Sequence, residues 1–293
     1  MPRVSVVIPS YNYARFVSRA IDSVLAQTYR SLECIVVDDG STDETPEVLA
    51  GYGDRIRTIR QRNQGLSAAR NTGLRAATGE LVAFLDADDW WEPQKLSRQL
   101  IVLGAEPKVM AVGCGEWNID RQGRRTGATI SAPFTGDWKR DLRDVAVRKR
   151  WVGGSGSGVV LRREVFETLA PFDTELKAAE DWDMWLRLVA RFRVVNLPEI
   201  LNNRLWHGTG TFRNAARMEE NQWRVYHQAV ERWPEVLHEG IRRRMRAMIL
   251  ADSGTEYLMS GDRRMAGARY RSSVQQWVSP GRLYLAARLS LLG

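Results

Sequence analysis

The chain has 293 residues, 44% of them hydrophobic and 27% charged, which is typical of folded globular proteins and excludes a largely disordered chain. The formal net charge of +8 favours anionic partners, such as a nucleotide diphosphate, a lipid diphosphate, a membrane surface or a nucleic acid, without choosing among them. Two cysteines, Cys34 and Cys114, exclude a disulfide framework and have no metal-ligand spacing.

The chain shows no signal-peptide pattern at its start and no apolar stretch long enough to span a bilayer. We therefore expect a cytoplasmic protein, with peripheral attachment to the inner face of the cell membrane as an open alternative.

The first part of the chain alternates between buried-strand patterns and amphipathic-helix patterns. The strands are predicted at Val4 to Ile8, Glu33 to Val37, Arg55 to Arg60 and Leu81 to Leu85, and helical spacing separates them. This order predicts the α/β class, with a mostly parallel central sheet flanked by helices.

Polar clusters follow three of these strands, namely Ser10-Tyr11-Asn12, Asp38-Asp39 and Asp86-Ala87-Asp88-Asp89. Because ligands bind outside the carboxyl ends of parallel strands, the three clusters predict one ligand site at that edge of the sheet. The carboxylates of the last cluster repel one another, which favours a bound cation, and Mg²⁺ or Mn²⁺ takes such oxygen ligands. A solvated turn that caps the helix near Pro93 is the alternative.

Several other residues have both a functional and a structural interpretation. Asp39 can accept hydrogen bonds from a base or ribose, or form a turn with Gly40 and Ser41. Arg70 can point at a diphosphate, or pair with one of the site aspartates. Glu180-Asp181-Trp182-Asp183 can supply a general base, or merely acids at a helix start. His207 can be a metal ligand or an ordinary loop residue.

The remainder of the chain divides into a less regular middle and a helical end. The middle contains a glycine-rich run from Gly153 to Gly158, and residues beyond Asn214 read as short helices. From Ala215 onwards there are thirteen arginines, eight acidic residues and no lysine. An apolar stripe of Leu285, Leu289 and Leu292 suggests either a membrane-surface helix or ordinary core packing.

Common phosphate-binding and hydrolase motifs are absent from the sequence. It has no Gly-x-x-x-x-Gly-Lys-Ser/Thr loop, no Gly-x-Gly-x-x-Gly after a strand, and no Gly-x-Ser-x-Gly elbow. These absences argue against P-loop nucleoside triphosphatases, dinucleotide oxidoreductases and α/β-hydrolases. The positive charge alone would allow nucleic-acid binding, but the sequence contains no recognised nucleic-acid-binding motif. We therefore expect no nucleic-acid partner.

The ordered motifs resemble the family 2 glycosyltransferases, which are inverting enzymes with the GT-A fold. The resemblance spans roughly residues 3 to 210 and rests on five stretches: Val4 to Asn12, Val37 to Asp43, Asn63 to Gly73, Gly79 to Asp89 and Glu180 to Asp183. One departure is Ala170-Pro171-Phe172-Asp173, where relatives commonly have Gly-Gly-Phe-Asp.

The resemblance implies a role for each matched position. Pro9, Tyr11 and Asp39 would hold the base and ribose, with Gly65, Arg70, Asp86 and Ala87 in the same nucleotide-sugar site. Asp88 of the Asp-x-Asp motif would bind Mg²⁺ or Mn²⁺, and His207 would be a second metal ligand. Asp181 would be the catalytic base, with Glu180, Trp182 and Gly156 on the acceptor side.

We therefore expect a GT-A domain at residues 1–214, with a nucleotide half at about 1–105, an acceptor half at about 106–214 and a helical region at 215–293. It would transfer sugar from a UDP- or dTDP-linked donor to a glycan, lipid-linked in one interpretation, during cell-surface polysaccharide synthesis. The alternatives are a nucleotidyltransferase and a non-catalytic nucleotide-sugar-binding module.

Overall fold

The computed structural model describes residues 2–130, 132–148, 151–153, 156–207, 214–278 and 281. The chain divides into two compact units. The first comprises residues 1–141, 150–175 and 187–206, and the second comprises residues 142–149, 176–186 and 207–293. The predicted leucine stripe at Leu285, Leu289 and Leu292 lies outside the described residues.

One sheet runs through the first unit and contains nine strands of the described residues. In chain order these are β1 (Val4–Ser10), β2 (Leu32–Asp38), β3 (Arg57–Arg60), β4 (Leu81–Phe84), β5 (Trp90–Trp91), β6 (Val109–Ile119), β7 (Arg125–Thr129), β8 (Val160–Arg162) and β9 (Arg193–Leu205). The strand order is β3-β2-β1-β4-β8-β6-β9-β5, and β7 pairs with β6.

The half of the sheet that the sequence predicts is parallel throughout. β1 pairs in parallel with β2 and with β4, and β2 pairs in parallel with β3. All seven residues of β1 are buried, as expected for a strand covered on both faces. The parallel α/β arrangement predicted for this part of the chain is therefore confirmed.

The other half of the sheet is mixed. β8 pairs antiparallel with both β4 and β6, whereas β6 and β9 are parallel. β5 is antiparallel to β9, and β7 is antiparallel to β6. The short strand β8 thus joins the parallel half to the strands of the middle region.

The helices follow the predicted alternation and then fill the end of the chain. They are α1 (Val17–Leu25), α2 (Thr45–Ala50), α3 (Leu66–Ala76), α4 (Lys95–Ala105), α5 (Trp138–Ala146), α6 (Val165–Thr168), α7 (Glu180–Val189), α8 (Ala215–Arg232), α9 (Glu239–Met259) and α10 (Arg263–Gln276). α1 shows the physical basis, since its buried residues Val17, Ala20, Ile21 and Val24 recur at one-turn spacing and pack in the core of the sheet. Among the helices in the described ranges, none combines the length and the apolar composition that a membrane span requires.

The second unit contains a buried carboxyl group that makes its stability depend on pH. Glu256 in α9 is 8% exposed. Burial, and after it the charge of Asp252, raises the pKa of Glu256 to about 8, although Arg148 opposes the shift. Between its ordinary pKa and this value, the folded protein keeps a proton that the unfolded chain releases. The stabilisation is therefore present below the ordinary pKa and is lost as the pH rises through about 8.

We expect Glu256→Gln to melt higher than the wild type at about pH 9, because glutamine cannot ionise. At about pH 5 the advantage should shrink, since Glu256 is then protonated. The melting-temperature advantage of Glu256→Gln at about pH 9 should exceed its advantage at about pH 5 by more than about 2–4 °C. This is the shift that 1 kcal/mol causes in a protein of roughly this size. Thermal melts across pH measure it, and a difference that does not change with pH would contradict the assigned protonation.

Candidate nucleotide-sugar site

The polar clusters follow strands that end at the same edge of the sheet. Ser10 is in register with Asp38 across β1 and β2, and Val7 is in register with Phe84 across β1 and β4. The residues after these strands therefore emerge side by side at the carboxyl edge.

The loops after β1 and β2 are joined by hydrogen bonds. The Asn12 amide donates to Ser41 Oγ at 2.9 Å, and Asn12 Oδ1 accepts from the Thr42 amide at 2.7 Å. Asn12 holds a left-handed backbone with φ of 56°. Tyr11 extends from this joined pair of loops with 43% of its surface exposed, whereas Pro9 is buried within β1. Tyr11 therefore offers an accessible aromatic ring at the edge.

Asp39 organises the loop that leads into α3. Its carboxylate is buried and accepts from Gln61 Nε2 at 2.7 Å, the Gln64 amide at 3.0 Å and the Gly65 amide at 2.7 Å. Gly65 has φ of 95°, a conformation that favours glycine, and immediately precedes α3. Asp39 thus has a structural function in this loop, and its contact with a ribose or base stays a prediction.

Arg70 and Asp86 form a partly buried ion pair. Arg70 Nη2 donates to Asp86 Oδ1 at 2.7 Å, and the arginine side chain is only 2% exposed. Its guanidinium also lies over the Phe172 ring, 5.2 Å from the centroid. A β-carbon added to Gly156 would come within 3.2 Å of Arg70 Nη2, so this glycine leaves room for the guanidinium. The sequence left Arg70 either to contact a diphosphate or to pair with a site aspartate. The structure shows the pair with Asp86.

We expect Arg70→Met to lower the free energy of unfolding by about 1–3 kcal/mol, because it leaves Asp86 without its buried partner. Denaturation in urea measures the change. The matched control is Arg124→Met, since Arg124 pairs with Asp120 at the same 2.7 Å but is 75% exposed. Exposed pairs contribute about 0.2–1 kcal/mol, so equal losses in both variants would contradict a stabilising role of burial.

Asp89 is the buried carboxylate of the acidic turn. It is 3% exposed, and its oxygens accept from Ser157 Oγ at 2.7 Å and from the Leu205 amide at 3.2 Å. Burial first, and then the charges of Asp88 and Asp86, raise the pKa of Asp89 well above its ordinary value. The neighbouring acidic charges that the sequence places in this turn therefore act in the same direction as burial on the pKa of Asp89.

Tyr13 adds a phenol to the acidic turn and was not identified from the sequence. Burial, and then the charges of Asp88, Asp86 and Asp89, raise the pKa of Tyr13, whose hydroxyl is also hydrogen-bonded to Asp88. The only signal for Tyr13 in the sequence was its place three residues after β1 ends. A phenol beside Asp88 helps to orient that half-buried carboxylate.

Ser157 was also missed, although the glycine-rich run around it was noted. The turn Gly156–Gly158 is buried, and Ser157 Oγ accepts from the Asp86 amide at 3.1 Å. The Ser157 carbonyl accepts from Trp91 Nε1 at 2.8 Å. A serine between glycines is a weak signal, because only the fold brings this turn against the acidic turn.

The acidic turn fits a hard divalent cation. Within the segments that the structure describes, no three His, Cys, Asp or Glu side chains form a ready-made metal-binding group. Asp86 is paired with Arg70, and Asp89 is held by Ser157 and Leu205. Asp88 lies between them, half-buried and hydrogen-bonded to the Tyr13 hydroxyl. One or two carboxylates with substrate phosphates are the usual Mg²⁺ environment.

The remaining predicted residues lie in the second unit. Asp181 is half-buried in the first turn of α7, and its carboxylate accepts from the Trp182 amide at 2.7 Å. Glu180 and His207 are buried. Trp182 is wholly buried, and its indole donates to the Val145 carbonyl at 3.1 Å, so its side chain packs inside this unit. By contrast, Pro9, Tyr11, Asp39, Gly65, Arg70, Asp86, Ala87, Asp88 and Gly156 lie in the first unit.

Comparison with known proteins identifies the family. Residues 5–170 match the family described as Glycosyl transferase family 2. The chain belongs to this family. It is accordingly a glycosyltransferase, and the resemblance inferred from its motifs is confirmed.

Relatives in bacteria have the same classification. An uncharacterized glycosyltransferase of Nostoc sp. is 40% identical over 195 residues, which cover 62% of this chain and 56% of that protein. An uncharacterized glycosyltransferase of Rickettsia prowazekii is 31% identical over 229 residues, covering 76% of this chain and 70% of that protein. Chondroitin synthase of Escherichia coli is 29% identical over 238 residues, covering 79% of this chain but 33% of that protein.

Solved structures share the fold. Staphylococcus aureus TarS 1–349 has a TM-score of 0.62 at 20% identity, covering 94% of this chain and 80% of that chain. Mannosyltransferase PcManGT from Pyrobaculum calidifontis, solved with GDP-Man and Mn²⁺, has a TM-score of 0.60 at 23% identity, covering 99% and 80%. The predicted GT-A fold class is confirmed.

Proposed function

We propose that this family 2 glycosyltransferase moves a sugar from a nucleotide diphosphate sugar to a hydroxyl of a glycan acceptor, with inversion at the anomeric carbon. The observation that carries the proposal is the position of Asp86-Ala87-Asp88-Asp89. This acidic turn follows β4 at the carboxyl edge, beside the loops after β1 and β2. Ligands of open α/β sheets bind at such an edge.

The donor would occupy the edge formed by the first three parallel strands. Tyr11 presents an exposed ring for the base, next to the buried Pro9. Asp39 holds the loop before α3, and this loop with Gly65 would face the nucleoside. The pair of Arg70 with Asp86 would set the position of Asp86 toward the ribose or the metal.

Asp88 would hold Mg²⁺ or Mn²⁺, and we propose His207 as a second ligand by analogy with the family. When bound, such a cation offsets the negative charge that collects on the departing nucleoside diphosphate. Tyr13 and Ser157 restrain the turn that presents Asp88. The residues after His207, from 208 to 213, lie outside the described part of the chain.

Asp181 would be the general base that takes the proton from the acceptor hydroxyl. A carboxylate that is half-buried, rather than buried, can reach an incoming substrate. Attack by the deprotonated hydroxyl on the face opposite the leaving group inverts the anomeric carbon in a single displacement. Glu180, Trp182 and Gly156 are proposed for the acceptor side, and Trp182 would act there by packing.

The donor class and the setting are also proposals. Proteins of the same fold have been solved with UDP-GlcNAc and with GDP-Man and Mn²⁺, which supports a nucleotide diphosphate sugar together with a divalent cation. UDP- or dTDP-linked sugars are the first candidates. The likeness to chondroitin synthase supports a role in polysaccharide synthesis, and we propose the cell surface as its setting. The arginine-rich helices α8–α10 would contact the membrane if the acceptor is lipid-linked.

A panel of nucleotide sugars, each with Mg²⁺ or Mn²⁺, tests the proposal. Release of nucleoside diphosphate that depends on an acceptor supports sugar transfer. Release of pyrophosphate would instead indicate a nucleotidyltransferase, and a donor-dependent thermal shift without turnover under any condition would indicate a binding module.

A further inference from the structure

A single buried hydroxyl connects the glycine-rich turn to the acidic turn. Ser157 is 0% exposed. Its Oγ donates to Asp89 Oδ2 at 2.7 Å and accepts from the Asp86 amide at 3.1 Å. The two bonds reach both ends of the turn and flank Asp88, the proposed metal-binding carboxylate.

The backbone around Ser157 is itself restrained, so the hydroxyl has a defined position. The Ser157 carbonyl accepts from Trp91 Nε1 at 2.8 Å, and the Gly158 carbonyl accepts from Gln99 Nε2 at 2.9 Å. A β-carbon on Gly158 would lie 1.9 Å from the Gly153 carbonyl oxygen, which only glycine avoids. The turn Gly156–Gly158 is therefore a fixed support and not an adaptable loop.

Loss of the hydroxyl would change both ends of the acidic turn. Asp89 would keep the Leu205 amide as a donor but would lose its shorter hydrogen bond. The Asp86 amide would lose its side-chain acceptor, and Asp86 would then be restrained mainly through Arg70. Because three carboxylates already repel one another here, a looser turn would spread them apart and displace Asp88.

We propose that Ser157 is a positioning residue for the metal site, holding the acidic turn in the geometry in which Asp88 binds the cation. The inference rests on the proposed function, in which Asp88 holds Mg²⁺ or Mn²⁺. Groups that orient metal ligands typically contribute about 10–100-fold to metal affinity or activity. Ser157 thereby connects the glycine-rich turn to the acidic turn through one hydroxyl.

The chain offers a closely matched control at the opposite end of the sheet. Ser5 is also 0% exposed, and its Oγ donates to Glu33 Oε1 at 2.5 Å and accepts from the Gly79 amide at 2.8 Å. Ser5→Ala therefore removes the same two kinds of hydrogen bond as Ser157→Ala, at the start of β1. Any effect caused only by weaker folding should appear in both variants.

The experiment is a titration of the full chain with Mn²⁺ in the presence of UDP, with free Mn²⁺ followed by electron paramagnetic resonance. We expect Ser157→Ala to weaken Mn²⁺ binding by about 10–100-fold and Ser5→Ala to leave it unchanged. Ser157→Cys, whose thiol is larger than the hydroxyl and forms weaker hydrogen bonds, should resemble Ser157→Ala. Melting temperatures in EDTA should fall by similar amounts in Ser157→Ala and Ser5→Ala.

Two outcomes separate this inference from the proposed function. Wild-type affinity in both Ser157 variants, or equal weakening in Ser5→Ala, would overturn the positioning role while leaving the metal site intact. A wild-type protein that binds no Mn²⁺ with UDP or with the other nucleoside diphosphates would overturn the metal assignment itself, and the inference with it.

Discussion

Replacing Asp88 with asparagine is expected to lower the rate of sugar transfer by about 10²–10⁴-fold, the usual cost of removing a key electrostatic group. Asparagine keeps the shape of the side chain but removes the charge that would hold the cation. Asp88 is half-buried, so its amide can remain solvated and the fold should persist. The measurement is kcat at saturating donor, over a range of Mn²⁺ concentrations.

The control for Asp88 is the same substitution at an exposed carboxylate of the same unit. Asp54 lies in the short helical turn Gly53–Arg55 before β3 and is exposed. Asp54→Asn should keep the wild-type rate. If Asp88→Asn also reaches that rate at every Mn²⁺ concentration, Asp88 does not hold a catalytic metal.

Replacing Asp181 with asparagine is expected to reduce kcat by about 10²–10⁴-fold while leaving the donor KM nearly unchanged. Asparagine cannot take the proton from the acceptor hydroxyl, so kcat falls. The donor would bind to residues of the other unit, so its KM should not change. Steady-state kinetics with donor and acceptor varied separately measure the two constants. The melting temperature should stay close to that of the wild type, because the side chain is not fully buried.

A helix-capping control distinguishes the base from an acid that only stabilises a helix start. Asp262 is the N-cap of α10 in the same unit, and its carboxylate accepts from the Met265 amide at 2.9 Å. Asp262→Asn should leave kcat unchanged, since asparagine caps helices about as well as aspartate. Full transfer activity in Asp181→Asn would remove Asp181 from the mechanism.

The parallel half of the sheet was predictable because its signals are local. Strands such as Val4–Ser10 are continuous β-branched runs, and α1 shows its apolar face within nine residues. The mixed half of the sheet was less predictable from the sequence. β8 has only three residues, and its antiparallel pairing with β4 joins residues about eighty positions apart, which no local pattern specifies.

The same distinction applies to individual side chains. Asp39 reads from sequence as a ligand for ribose, yet the fold surrounds its carboxylate with three donors from the loop before α3. The family resemblance implies an acceptor-side role for Trp182, but the fold buries its whole side chain. In each case the burial depends on neighbours that are distant in sequence.

The sequence by itself determined the family, the parallel α/β half and the convergence of Tyr11, Asp39 and the acidic turn on one edge of the sheet. Strand order and the carboxyl ends of parallel strands are sufficient for that result. Only the tertiary structure decided how the carboxylates of the acidic turn differ. Arg70 pairs with Asp86, and Ser157 holds Asp89 from 68 residues away. Such pairings depend on how separate elements pack, so they leave no periodic trace in the sequence.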